Sequence, residues 1–144
     1  MRSVGREGPL AGVEELTALL VPIVQDRIAR LGDHDSGAYN FYASRARGGR
    51  IFSDYDVALA SAIVSRNLLV DRIHEVGAGF GQLAFLLGWN GIEIVGFDQD
   101  ERTFRSAELL LDRLRLAEPE LSARIRLEGA LFPLRPETGF LGHY

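Results

Sequence analysis

The sequence contains neither cysteine nor lysine, and all 16 of its basic residues are arginine. Without cysteine, the chain has no disulfide, no thiolate metal site and no cysteine nucleophile. Without lysine, it has neither a Schiff-base lysine nor the lysine of a phosphate-binding P-loop. No apolar run approaches the ~18 residues of a membrane-spanning helix, and residues 1–12 lack the apolar stretch of a signal peptide. We therefore expect a cytoplasmic protein without a membrane partner.

The composition is that of a folded domain. Hydrophobic residues make up 47% of the 144 residues, which argues against global disorder, and the length fits one domain. The formal net charge is −4, and the arginines form no long basic block. This charge balance does not favour a nucleic-acid partner.

The hydrophobic pattern predicts helices first and then an alternation of strands and helices. Residues 13–31 have a helical period that contains Pro22, which is expected to kink the helix or to begin a second one. Residues 33–50 are interpreted as a loop, and Ser53 with Asp56 resembles a capping box that opens a helix to about Leu69. The rest is predicted as strand 72–76, helix 81–89, strand 92–97, helix 100–117 and strand 124–128. Two successive β-α-β units indicate an α/β protein with a parallel sheet and right-handed crossovers.

A glycine-rich turn follows the first predicted strand. Residues 75–81 read Glu-Val-Gly-Ala-Gly-Phe-Gly, and Asp98 lies 21 residues after Gly77, at the end of the second strand. Such a turn is expected to present backbone N–H groups to a ligand, and an acid at a strand tip can accept hydrogen bonds from a ribose. The dinucleotide fingerprint requires a third glycine at position 82, where this chain has Gln82.

These residues resemble the class I S-adenosylmethionine-dependent methyltransferases. The residues from Glu75 to Gly81 match the first motif of that family, and those from Gly96 to Asp98 match its second. The resemblance covers residues 54–130. It implies that Glu75 orients the amino group of S-adenosylmethionine, that Gly77 and Gly79 line its methionine moiety, that Asp98 binds its ribose and that Gln99 borders its adenine. The full set of expected cofactor-binding residues is Glu75, Gly77, Ala78, Gly79, Gly81, Gln82, Asp98 and Gln99.

The resemblance implies a Rossmann-like sheet of which this chain supplies only part. The family orders its strands 3-2-1-4-5-7-6, and only strands 3-2-1 are found here, preceded by N-terminal helices. We divide the chain into a helical segment and loop (1–52) and a partial cofactor-binding domain (53–144). The favoured interpretation is a piece of a longer enzyme. Alternatively, a second copy or another protein covers the edge of strand one, or the N-terminal helices fold over it.

Position 129 departs from the family pattern. The family places an acid after strand three, near the adenine amino group, and Gly129 occupies that position here. Glu128 lies one residue earlier. Adenine recognition is therefore expected to fall to backbone groups at this end of the strand.

Three further clusters have two interpretations each. Asp33, His34 and Asp35 are interpreted as a solvated loop rather than a metal site. The aromatic residues between 39 and 52 either pack the loop onto the core or form a lid over the cofactor (Tyr39, Phe41, Tyr42 and Phe52). The arginines of the same segment either are solvated or meet an anionic group (Arg45, Arg47 and Arg50).

The favoured function is methyl transfer from S-adenosylmethionine to an acceptor that the sequence does not identify. No catalytic residue and no metal ligand is assigned. One alternative is a non-catalytic S-adenosylmethionine-binding domain or subunit. A second is an NAD(P)-dependent oxidoreductase, which Asp98 favours and Gln82 disfavours.

Overall fold

The computed structural model describes residues 10–31, 37–66 and 72–129. The helices in these ranges are α1 (Val13–Leu31), α2 (Gly37–Arg47), α3 (Asp54–Ser65), α4 (Gln82–Trp89), α5 (Glu101–Ala117) and α6 (Pro119–Ser122). The strands are β1 (Ile73–Val76), β2 (Ile94–Phe97) and β3 (Ile125–Glu128). None of these helices is long and apolar enough to cross a membrane.

The three strands form one parallel sheet in the order β1-β2-β3. Ile73 lies beside Ile94, and Ile94 lies beside Ile125. The central strand β2 is buried along its whole length, as expected for a strand that is paired on both sides. The predicted α/β fold and the strand order 3-2-1 are confirmed. Because parallel strands end at the same edge, the ends of β1 and β2 meet, and this places the glycine turn beside Asp98.

Helix α4 lies between the sheet and the N-terminal helices. Every residue of α4 is buried, because α4 contacts α1 and α3 on one side and β2 and β3 on the other. Its end is tied to the start of α1, since Asn90 accepts a hydrogen bond from the Ala11 N–H at 3.1 Å and donates one to the Ala11 carbonyl at 2.9 Å. The N-terminal segment and the glycine turn therefore share one core.

Part of the N-terminal interpretation was wrong. The segment assigned to a loop contains α2, whose Tyr39, Ala43 and Ala46 are buried at helical spacing. This short apolar face was overlooked because most of the intervening residues are polar. Helix α1 continues through Pro22, so no second helix begins there, and α6 adds one turn that was not predicted.

The capping box at the start of α3 is confirmed. The Ser53 hydroxyl accepts a hydrogen bond from the Asp56 N–H at 3.0 Å, and the Asp56 carboxylate accepts one from the Ser53 N–H at 2.8 Å. We expect Ser53→Ala to lower the free energy of unfolding by about 1 kcal/mol in urea titrations, because it leaves an N–H of the first turn without its acceptor. Ser65→Ala, at the exposed end of the same helix, is the control and should change it much less.

Within the described ranges, β1 pairs with β2 alone, so its other edge has no strand partner. Helices α2 and α3 face β1 across a cavity. Residues 130–144 lie outside the described residues. That the chain is a piece of a longer enzyme, and that a partner covers this edge of β1, therefore both stay predictions.

Candidate functional site

The glycine turn has the backbone that its sequence predicts. Gly77, Gly79 and Gly81 have φ angles of +74°, +62° and +89°, a region that residues with a Cβ rarely adopt. A Cβ at Gly77 would meet nothing within 4 Å, whereas one at Gly79 would collide with the ring of Tyr42. One at Gly81 would lie 2.8 Å from the ring of Phe85. Gly77 thus faces open space, and the other two glycines make room for neighbouring side chains.

The N–H groups of this turn are largely used within the protein. The Gly77 and Ala78 N–H groups donate to the Phe97 carbonyl at 2.8 and 2.9 Å, and the Gly81 N–H donates to the Ala78 carbonyl at 3.0 Å. The Gly79 N–H donates to a carboxylate oxygen of Asp98 at 2.9 Å. The expectation that the turn presents these groups to a ligand was therefore wrong for these four. The donors that remain for an anionic ligand are the N–H groups at the start of α4, which has no side-chain cap.

Asp98 links the ends of the two strands. One carboxylate oxygen accepts the Gly79 N–H, and the other accepts the Asp100 N–H at 2.9 Å. Asp100, rather than Asp98, caps α5, by accepting the Thr103 N–H at 3.0 Å. A carboxylate has about four acceptor positions, so Asp98 retains two for further donors.

Glu75 carries the most perturbed carboxyl group of the site. Its Oε1 is buried and has no hydrogen-bond partner among the described residues. Burial, and then the charges of Asp56 and Asp98, raise its pKa from 4.5 to about 8. A carboxyl group of this kind is neutral at pH 7 until a donor or a cation stabilises its charge.

Gly96 on β2 makes room for Ala78 of the glycine turn. It lies beside Glu75 in the register, and a Cβ added to it would lie 2.8 Å from the Ala78 Cβ and 4.0 Å from Glu75 Oε1. Any side chain at position 96 would push the glycine turn away from the sheet. From the sequence, Gly96 was indicated only as part of the second motif.

The predicted site residues are divided between two cavities. The larger, of about 730 Å³, is lined by Glu75, Gly77, Ala78 and Gln82 together with residues of α2 and α3. The smaller, of about 490 Å³, is lined by Asp98, Gln99 and Gly129 together with residues of α5. Gly79 and Gly81 belong to neither lining. Both volumes lie within the range of small-molecule sites.

Gly129 directly follows the end of β3, as predicted from the sequence. Gly129 lines the smaller cavity and lies against the Phe104 ring, which a Cβ at this position would approach to 2.7 Å. Glu128 instead forms an ion pair with Arg126 at 2.9 Å.

Two residues of α2 lie at the site, Tyr42 and Arg45, for which the sequence left two interpretations open. The Tyr42 ring lies on Gly79, with its centroid 5.1 Å from that of Phe80. Burial raises the pKa of the Tyr42 hydroxyl, and the charges of Asp98, Glu75 and Asp56 raise it further. Arg45 lines the larger cavity one helical turn further on. The signal that could have found both residues is the helical period of Tyr39, Ala43 and Ala46.

The other aromatic residues of this segment have different surroundings. Tyr39 and Phe52 are buried in the core, whereas Phe41 is 58% exposed. Packing onto the core therefore holds for Tyr39 and Phe52, while Tyr42 packs against the core and also lies on Gly79 of the glycine turn. Asp33, His34 and Asp35 lie outside the described residues. Elsewhere in the described ranges no group of three or more His, Cys, Asp or Glu side chains could hold a metal ion.

Comparisons with known proteins give only distant likenesses. No family model and no curated protein matches the chain. One similar structure is a protein of Klebsiella pneumoniae provisionally assigned as an O-methyltransferase, with 16% identity and a TM-score of 0.44 over 90% of this chain. Another is an uncharacterised protein of Burkholderia thailandensis, with 22% identity and a TM-score of 0.35 over 92% of this chain. The chain spans 58% of the first structure and 40% of the second. Likenesses this low do not define a fold, so the α/β fold described above rests on the sheet order and the glycine turn.

Proposed function

We propose that this chain is the cofactor-binding half of an S-adenosylmethionine-dependent methyltransferase. The observation that carries the proposal is that Glu75, whose buried Oε1 has no partner among the described residues, lines the same cavity as the open face of Gly77. An acid without a partner, next to backbone that a ligand can approach, favours a ligand with a positive charge and N–H donors.

The charges of S-adenosylmethionine fit this arrangement. Its ammonium group would donate to Glu75 in the larger cavity, and its ribose hydroxyls would donate to the remaining acceptor positions of Asp98. The adenine would then lie in the smaller cavity beside Gln99 and Gly129, which line it. A dinucleotide fits less well, because its pyrophosphate would meet the carboxyl groups of Glu75 and Asp98.

When bound, S-adenosylmethionine supplies a methyl group on a sulfonium, which is a good leaving group. The residues described above bind and orient it, and positioning the acceptor in line supplies much of the rate of such a transfer. The methyl acceptor and the groups that hold it are not part of this proposal.

Isothermal titration distinguishes the proposal from the oxidoreductase alternative. We expect saturable one-to-one binding of S-adenosylhomocysteine, because its ammonium and ribose match Glu75 and Asp98, and no saturable binding of NAD at the same concentrations. The titration uses protein whose cooperative thermal unfolding has been verified. Binding of NAD without binding of S-adenosylhomocysteine would reverse the assignment.

The binding variant for this experiment is Gly77→Asn, because asparagine tolerates the φ angle of +74° at this position better than most residues with a Cβ. Its side chain would extend into the open space at this position and should abolish the titration signal. Asp98→Ala is a poorer choice, because it also removes the acceptor of the Gly79 and Asp100 N–H groups. A Gly77→Asn protein that binds as tightly as the wild type would contradict the placement of the ligand at this turn.

A further inference from the structure

The proposed cofactor has a charge that the residues discussed so far do not balance. Its amino-acid end carries a carboxylate as well as an ammonium group, and Glu75 and Asp98 can serve only cations and donors. The N–H groups of Gly77, Ala78, Gly79 and Gly81 already donate within the protein. A carboxylate that enters the larger cavity can therefore be served only by the uncapped N–H groups at the start of α4 and by side-chain donors.

Arg45 is the only arginine among the described residues that line this cavity. Its side chain is 20% exposed and lies on α2, across the cavity from Glu75 and Gly77. A guanidinium group is always charged and presents five N–H donors in a fork that matches a carboxylate.

The present partners of Arg45 leave most of these donors available. Its Nη1 lies 3.5 Å from an Asp56 oxygen, which is longer than a charge-assisted hydrogen bond of about 2.7–2.9 Å. The same oxygen already accepts the Ser53 N–H at 2.8 Å. The guanidinium also stacks over the Phe41 ring at 4.8 Å, which fixes its plane without using an N–H group.

We infer that Arg45 binds the carboxylate at the amino-acid end of the ligand, in the cavity where Glu75 receives the ammonium group. This inference rests on the proposed function and adds a binding residue that lies outside both sequence motifs. Asp56 and Phe41 hold the guanidinium in place for this contact. Helix α2 is then part of the binding site and not only a cover for the core.

Two ligands separate this role from a merely structural one. S-adenosylhomocysteine carries the amino-acid group, and 5′-methylthioadenosine lacks it. We expect Arg45→Gln to weaken binding of S-adenosylhomocysteine roughly 10-fold or more, the usual effect of losing a hydrogen bond to a charged group. Its affinity for 5′-methylthioadenosine should change less than about threefold. Arg45→Lys, which keeps the charge but loses the fork, should fall between.

Arg50→Gln is the matched control. Arg50 is 61% exposed, pairs with Asp54 at 3.3 Å at the same junction of α2 and α3, and lies outside the cavity lining. This variant should bind both ligands as the wild type does. The methyl ester of S-adenosylhomocysteine tests the contact without any variant, because it removes the ligand's negative charge and should bind the wild type roughly 10-fold more weakly.

The outcomes separate the two proposals. If the wild type does not bind S-adenosylhomocysteine, both fail. If it binds, but Arg45→Gln weakens both ligands equally or neither, the role of Arg45 is wrong while the proposed function stands. If Arg45→Gln does not fold, the ester decides, and an ester that binds the wild type as tightly as the free acid overturns the inference.

Discussion

Glu75→Gln is expected to make the protein more stable at pH 8 and no more stable at pH 5. The reason is the pKa of about 8 in the folded protein against 4.5 ordinarily. Between these values the native state holds a proton that the unfolded state has lost, so the stability of the wild type falls as the pH rises. Below pH 4.5 the carboxyl group is protonated in both states and costs nothing, and above pH 8 the full cost of the buried charge is present.

The size of this effect follows from the shift. One pKa unit corresponds to about 1.36 kcal/mol, so the shift sets an upper limit of roughly 4–5 kcal/mol. Because the side chain is partly exposed, we expect roughly 2 kcal/mol between pH 5 and pH 8. Urea titrations of the wild type and Glu75→Gln across this range measure the difference, and the titrations of other groups cancel in the comparison.

The exposed glutamate Glu108 on α5 provides the control for stability. Glu108→Gln changes a side chain at the surface and should alter the free energy of unfolding by less than about 0.5 kcal/mol. If Glu75→Gln also follows the wild type, Glu75 is not a strained, buried acid. Glu75→Gln should also bind S-adenosylhomocysteine more weakly, because glutamine cannot carry a negative charge opposite the ammonium group. A variant that is more stable and binds less is typical of a residue kept for function.

Gly12→Ala is expected to lower the free energy of unfolding by roughly 3 kcal/mol or more. Gly12 has a φ angle of +95°, and an added Cβ would collide with the indole of Trp89. Trp89 is 3% exposed and lies at the end of α4, so it has no solvent to move into. The substitution therefore forces α1 away from α4, at the point where Asn90 joins them.

Gly49→Ala isolates the cost of the backbone conformation. Gly49 has a φ angle of +82°, and a Cβ there would meet nothing within 4 Å. We expect this variant to lose only about 1 kcal/mol. The chain has a single tryptophan, so its fluorescence reports directly on the Trp89 environment during urea unfolding. If both variants lose the same free energy of unfolding, the Trp89 indole moves aside without a cost in stability, which would contradict the prediction for Gly12→Ala.

The fold of residues 72–129 could be predicted from the sequence because its signals are local. Strand β2 is a short apolar run, and α5 has a regular apolar period. Before this range, the start of α3 is marked in the same local way by Ser53 and Asp56. Helix α2 was missed because its buried face consists of only three residues, Tyr39, Ala43 and Ala46. So short an apolar pattern is recognisable only once the helix is seen packed against the core.

The candidate site was predictable in position but not in its chemistry. The order of strand, glycine turn and strand tip places Glu75, Gly77 and Asp98 at one edge of a parallel sheet by chain geometry alone. The use of the turn's N–H groups by Phe97 and Asp98 depends on the pairing of β1 with β2. The sequence does not indicate that these N–H groups are already hydrogen-bonded, because each bond joins residues about 20 positions apart.

The sequence by itself determined an α/β chain with a glycine turn and two acids at neighbouring strand ends. The tertiary structure alone decided that Glu75 has an oxygen without a partner, that Tyr42 covers Gly79 and that Arg45 lines the same cavity as Glu75. The physical reason is that burial and charge at a site are set by the elements packed around it, and the residues of α2 and α3 that line this cavity lie at least 12 residues before Glu75 in the chain.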